Sequence, residues 1–362
     1  MTENANAARL SRARRSLMSW GTGRGPGTGA AGRTATATVV LEDAGHLGDL
    51  LASDLVDADS VVFVPGRYDQ ERGTGPLVIG YDGSLAEPGS DLSLDDSFFL
   101  QSQDYATSAY MSVIGATLVR IFEEADFEAF LADADRARAE GVFPSFATDP
   151  AVQPADVGAL GAGPDGDGPG TRLYVTADGA LSLSPAGLPL GALGDGFADV
   201  VAGWEQANAR SAAPCAVALG GAVPEDVRAR ALAGRPWAGR CLAALDAVRE
   251  LRARGVGDVR VSGFGGRLLP GLDTEGRDLA DARLPLLLWT EDAAYVHSPL
   301  AGRTFQVSLA AGRLAEALLV HGSPAEAAAA PSVAEGPLTE VAAFFAGAGV
   351  PLVAGELAGA GR

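Results

Sequence analysis

Lysine is missing from this sequence: all 27 cationic side chains are arginine. A P-loop phosphate lysine, a Schiff-base lysine and a kinase strand lysine are thereby excluded, because each chemistry needs a primary amine. Cysteine is almost missing too. Cys215 and Cys241 are too few for a disulfide framework, have no CxxC spacing, and fall short of the clustered thiolates of a radical-type iron–sulfur centre. Two buried free thiols are expected. The three histidines, His46, His297 and His321, are far apart and show neither HxxxH nor HExxH spacing, so no metal site and no cofactor is expected. No run of about eighteen apolar residues occurs, so no membrane-spanning helix is expected. Arg9, Arg12, Arg14 and Arg15 are followed by glycine-rich residues 21–32, where a signal peptide would need an apolar stretch. A cytoplasmic location is the expectation.

What is present is a globular composition over 362 residues, 47% hydrophobic and 20% charged, long enough for two or three cores. The net charge of -19 is spread along the chain rather than gathered in a tail. Such a surface repels phosphate backbones and anionic lipid, so neither nucleic acid nor membrane is an expected partner.

The overall pattern predicts an α+β protein, with N-terminal α/β regions followed by a C-terminal winged-helix-like module of three strands and three helices. Residues 1–33 read as a mobile N-terminal arm, with an Arg-rich amphipathic stretch and a possible docking segment around Trp20. An α/β domain is expected over 34–150, with strands at 36–41, 60–64, 77–81 and 112–122. Asp126 caps a helix there that aligns Phe127, Phe130, Leu131 and Ala134 on one face. Residues 151–171, rich in Gly and Pro, read as a linker. An α+β domain is expected over 172–283. It opens with two alternating strands joined at Asp178–Gly179 and carries helices at 196–208 and 237–254.

Little in these segments assembles an active site. No GxSxG nucleophile elbow occurs. Residues 261–266 are Gly-rich, but they follow a strand without opening a helix that could aim its N-terminus at a phosphate. The pairs Asp95–Asp96 and Glu123–Glu124 read as solvated carboxylates, since adjacent side chains on a strand or loop point apart. No catalytic residue is assigned, and the chain is expected not to be an enzyme.

The final block, 284–362, has the clearest pattern: strands at 284–290, 293–297 and 303–307, then helices at 309–320, 324–330 and 338–348. Winged helices most often bind DNA through the third helix, which needs Arg, Lys, Asn or Gln there. Residues 338–348 contain none, and the block carries three arginines against seven acids. DNA fits poorly.

Three stretches of this block resemble the PqqD-like RiPP recognition element, a module that captures leader peptides of ribosomally made, modified peptides. Residues 295–308 look like its second and third strands, 309–319 like its first helix, and 338–352 like its closing helix and turn. The resemblance implies that a leader segment adds as an extra strand to the edge of the third strand, its side chains dropping into a groove against the third helix. Carried over by position, the edge is Thr304, Phe305, Gln306 and Val307, and the groove wall is Leu338, Val341, Ala342 and Phe345. Each apolar member also reads as plain core. Together with residues 17–23 and 141–144, the block makes the chain similar to the stand-alone recognition proteins of daptide biosynthesis in actinobacteria. That family implies a non-catalytic adaptor presenting a precursor peptide to separate tailoring enzymes: an oxidative decarboxylase, an aminotransferase and a methyltransferase. The N-terminal regions are then expected to dock those enzymes or to dimerise. Two alternatives stay open, an acidic winged-helix transcriptional regulator and an enzyme whose site is dispersed in the N-terminal domain.

Overall fold

The computed structural model describes residues 2–25, 32–68, 75–272, 276–329 and 335–353. The fold is mixed α/β, with a ten-stranded, mainly parallel sheet and a separate four-stranded antiparallel one. The chain divides into two compact units, residues 1–130 with 151–234, and residues 131–150 with 235–362.

In the first unit, α1 (Thr2–Thr22) precedes β1 (Thr38–Leu41), α2 (Leu47–Ala52), β2 (Val61–Pro65), β3 (Leu77–Gly83), β4 (Asp91–Leu94) and β5 (Phe98–Asp104). Then come α3 (Tyr105–Ser108), β6 (Ala116–Arg120), the start of α4 (Glu124–Glu140), β7 (Val152–Pro154), β8 (Arg172–Val175), β9 (Ala180–Ser182), β10 (Gly191–Ala192), α5 (Phe197–Ala209) and α6 (Glu225–Ala233). The strand order is β10-β9-β8-β1-β2-β3-β4-β5-β6-β7. β1 lies parallel to both β2 and β8, and β5, β6 and β7 form a second parallel set. Every residue of β1 and β8 is buried, as interior parallel strands covered on both faces require.

Side chains divide by the two-residue period of the strands. Val40, Phe63, Tyr81 and Tyr174 pack with α1 on one face, whereas Val39, Leu41, Val62 and Leu173 pack with α2 and α5 residues on the other. The expected mobile arm is therefore replaced, over residues 2–22, by a docked helix. Ala13, Leu17 and Trp20 recur at helical spacing and are fully buried, and the Trp20 indole N–H donates to the Leu173 carbonyl at 2.9 Å. At Gly21 a Cβ would collide with Leu118, so this glycine serves close approach of helix to sheet.

The segment expected as a linker is also part of this unit. β8, expected to open a new domain, pairs in register with β1, Thr38 opposite Arg172. A cluster of buried charges ties the preceding loop down. Arg172 Nε and Nη2 donate to the two Asp167 carboxylate oxygens at 2.7 and 2.8 Å, and Nη1 donates to Asp156 at 2.5 Å and to the Trp20 carbonyl at 3.0 Å. Arg120 reaches the other Asp156 oxygen at 3.3 Å and stacks over the Trp20 ring. The pair Asp95–Asp96, read as solvated carboxylates, forms the β4–β5 hairpin turn with φ of 51° and 50°, a left-handed conformation Asp tolerates better than most residues.

The second unit contains the end of α4, α7 (Ala238–Ala253), β11 (Arg260–Val261), β12 (Leu286–Trp289), β13 (Ala294–Ser298), β14 (Arg303–Val307), α8 (Leu309–His321), α9 (Pro324–Ala328) and α10 (Glu335–Gly347). Its sheet runs β11-β12-β13-β14. One face packs Leu286, Leu288 and Tyr295 against α7 and the end of α4; the other packs Leu287, Val296 and Trp289 against α8 and α10. The expected third helix, 338–348, begins three residues earlier. Ala330 and residues 331–334 lie outside the described residues. The boundary expected at 284 separates α7 and β11 from a sheet they help to cover and extend.

Candidate functional site

Among the described residues β14 is the last strand of its sheet and pairs only with β13, Val296 opposite Phe305 and His297 opposite Thr304. Ser308 caps α8 directly after it, its hydroxyl accepting from the Ala311 N–H at 3.2 Å, and this ends the strand. An edge strand presents alternate N–H and C=O groups to whatever lies beside it. Among the described residues no backbone group outside β13 hydrogen bonds to the backbone of Arg303–Val307.

The strand alternates between two environments. Phe305 and Val307 turn towards the helical layer, where both are half-buried in the cluster containing Leu338 and Phe345. Phe305 meets Phe345 edge to face with centroids 5.8 Å apart, and Phe345 meets Phe344 in the same way at 5.2 Å. Phe344 is 59% exposed, an unusual state for a large aromatic ring and one that extends the apolar surface outward. Val341 and Ala342 are half-buried one turn earlier on α10. Arg303 closes one end: its guanidinium stacks 4.9 Å over Phe305 and donates to the Ala348 carbonyl at 3.1 Å.

On the opposite face Thr304 joins a polar group. Its hydroxyl donates to Glu250 Oε1 at 3.0 Å, and His297 Nδ1 lies 2.9 Å from that hydroxyl and 3.1 Å from Glu250 Oε2. Burial lowers the His297 pKa below its ordinary value, against the pull of Glu250. Hydroxyl, imidazole and carboxylate are the ingredients of a nucleophilic triad. Here both partners crowd the same ring nitrogen, whereas a relay needs the hydroxyl on the other one. The group therefore acts as a clamp that holds β14 to α7.

All eight residues expected to form the edge and groove thus fall in one region: Thr304, Phe305, Gln306 and Val307 on the outermost strand, Leu338, Val341, Ala342 and Phe345 on α10. They do not contribute equally. Leu338 and Phe345 are 0% and 1% exposed, so they form the floor rather than the contact surface, while Gln306 is exposed. Sequence reasoning missed Arg303 and Phe344. The signal for Phe344 was available, since an apolar run such as Ala342–Phe345 cannot all face inward on a helix.

Other chemistry finds little support. Burial pushes the Cys241 thiol up to about 12 and the Cys215 thiol higher still, so neither is a ready thiolate. Among the described residues no group of three His, Cys, Asp or Glu side chains could hold a metal ion. A cavity of about 780 Å³ in the first unit lies between the Gly-rich loop before β8 and the Phe197, Val201 and Trp204 face of α5, with Arg33 and Asp54 at its wall. No described helix is long and apolar enough to cross a membrane. The chain matches no protein-family model, and neither a curated protein nor a solved structure matches it.

Proposed function

We propose that the C-terminal block, 284–362, is a winged-helix-like, PqqD-like recognition element that binds an extended leader segment of a ribosomally made precursor peptide. The ligand adds as a further strand beside β14 and lays alternate side chains against α10. The rest of the chain presents it to separate tailoring enzymes, as in daptide-type pathways. The observation that supports this best is an edge strand that, among the described residues, is unpaired on its outer side and bordered by an apolar surface on which Phe344 stands 59% exposed. Edge addition supplies affinity through main-chain hydrogen bonds, and the apolar surface supplies selection. The acidic character of the block and the lack of any cation on α10 weigh against a DNA ligand.

The test is binding of the leader peptide encoded beside this gene to the full chain, measured by fluorescence anisotropy. Submicromolar binding is expected. Phe344→Asp, at an exposed position that leaves the floor intact, weakens it at least about tenfold, a loss of about 1.4 kcal/mol. N-methylation of alternate peptide amides abolishes it for one register and spares it for the other, because only half of an added strand's N–H groups face β14. No peptide binding by the wild-type chain, or equal binding by both N-methyl series, would overturn the reading.

A further inference from the structure

Arg303 opens β14 beside the apolar surface of α10 and is held there from two sides. Its guanidinium stacks 4.9 Å over the Phe305 ring, and Nη1 donates to the Ala348 carbonyl at 3.1 Å. The second contact suits a cation at the C-terminus of α10, where the helix dipole is negative, but it engages only one side of the guanidinium. Nε and Nη2 form the other edge. Through that same pair of atoms Arg172 grips Asp167, Arg235 grips Asp135 and Arg283 grips Asp281. In Arg303, which is exposed, this edge has no acceptor among the described residues, and no carboxylate pairs with the residue. A guanidinium is donor-only, and its planar edge matches a carboxylate through two parallel bonds.

The strand register says where on a ligand that carboxylate sits. Arg303, Phe305 and Val307 lie opposite Ser298, Val296 and Ala294 of β13, and the last two pack in the helix-covered core with Phe305 and Val307. These alternate residues of β14 therefore share one face. A strand added to the outer edge brings a side chain to that face at every second residue, each beside one of β14. Those beside Phe305 and Val307 meet the apolar surface on which Phe344 stands exposed. The one beside Arg303 meets the guanidinium. α10 itself carries Glu335 and Glu340 and no cation, so a carboxylate is favoured at the Arg303 end alone.

We infer that Arg303 selects the ligand: the peptide that adds beside β14 carries an aspartate or glutamate two residues from the nearer of two alternate apolar side chains. This selection rests on the strand addition proposed above and gives the ligand a charge and a spacing. For an antiparallel strand the order is apolar-x-apolar-x-acid, and for a parallel one it is reversed. Both keep the spacing of two.

The experiment lets the purified full chain select from a phage-displayed library of short random peptides, and remeasures the selected sequences as synthetic peptides by fluorescence anisotropy. Enrichment of alternate apolar residues with an aspartate or glutamate two positions away is expected. Replacing that carboxylate with its amide should weaken binding about fivefold, at the upper end for an exposed pair because the guanidinium is already held in place. Moving it by one residue should weaken binding as much, since the side chain then faces the other side of the sheet. Arg303→Gln, which keeps an N–H donor for the Ala348 carbonyl, should bind the acid and amide peptides equally. Arg303→Glu should instead prefer lysine at that position. The two ways of failing are distinct. No selected peptide, or peptides that all bind Phe344→Asp as well as the wild type, would overturn strand addition itself. Selected apolar peptides with no preference for a carboxylate, a preference that survives in Arg303→Gln, or an equal loss of acid and amide peptides in that variant would overturn the selection alone.

Discussion

Arg172 is the residue on which most of the first unit's polar interior depends. Its guanidinium is fully buried, is held protonated by Asp167 and Asp156, and also caps the carbonyl of Trp20. Replacing it with Met strands the buried Asp167 carboxylate and leaves Asp156 with Arg120 as its charged partner, a change expected to cost about 3–5 kcal/mol. Denaturant unfolding at neutral pH measures this. A loss under about 1 kcal/mol would show that the buried pairs contribute little. Glu316 offers the opposite case. It is 0% exposed, accepts from Ser262 Oγ at 2.6 Å and from the Leu268 and Leu269 N–H groups at 2.9 and 2.6 Å, and burial raises its pKa. The folded state therefore binds its proton more tightly than the unfolded chain does, so its contribution is complete below about pH 4.3 and is lost as pH rises through the folded value. The stability advantage of wild type over Glu316→Gln should fall across that window, and an unchanging difference from pH 4 to 7 would contradict it.

At the scale of elements, α1 is part of the core rather than an appendage. Trp20→Ala removes a 0%-exposed ring together with its hydrogen bond to Leu173, and should cost about 3–5 kcal/mol by chemical denaturation. A loss under about 1 kcal/mol would mean that the helix detaches readily from the sheet. α7 has a similar standing in the second unit. It covers Leu286, Leu288 and Tyr295, so a fragment beginning at residue 284 exposes that face. Such a fragment should bind a hydrophobic dye and aggregate, as large uncovered apolar patches do. A soluble, cooperatively melting 284–362 fragment would show that the C-terminal block carries its own core. The alternation of β14 was readable from its pattern, but the two covering layers were not, because α7 comes from sequence some fifty residues upstream.

At the scale of the whole molecule, the net charge of -19 dominates encounters with other macromolecules. Anisotropy with a duplex oligonucleotide should show no binding even at low salt, where counterion release favours any basic protein most strongly. Retention there would revive a DNA-binding reading.

The sequence by itself excluded chemistry that needs a lysine amine and determined the hairpin at Asp178–Gly179, most helix spans and the run β12–β13–β14–α8–α9–α10, because these depend on residue type and local periodicity. Only the tertiary structure decided that residues 151–171 are bound into a core, that β8 pairs with β1, and that the turn-forming aspartates at 95–96 join two strands of a ten-stranded sheet. Glycine-rich and charged segments look alike whether they are solvated or folded. What separates them here is the partner each finds at long sequence distance: Leu118 for Gly21, Asp156 for Arg120, and Leu173 for Trp20. The β14 edge has both origins. Its residues were legible in sequence, whereas the state of the edge, paired with β13 on one side and among the described residues unpaired on the other, follows from which strand ends the sheet.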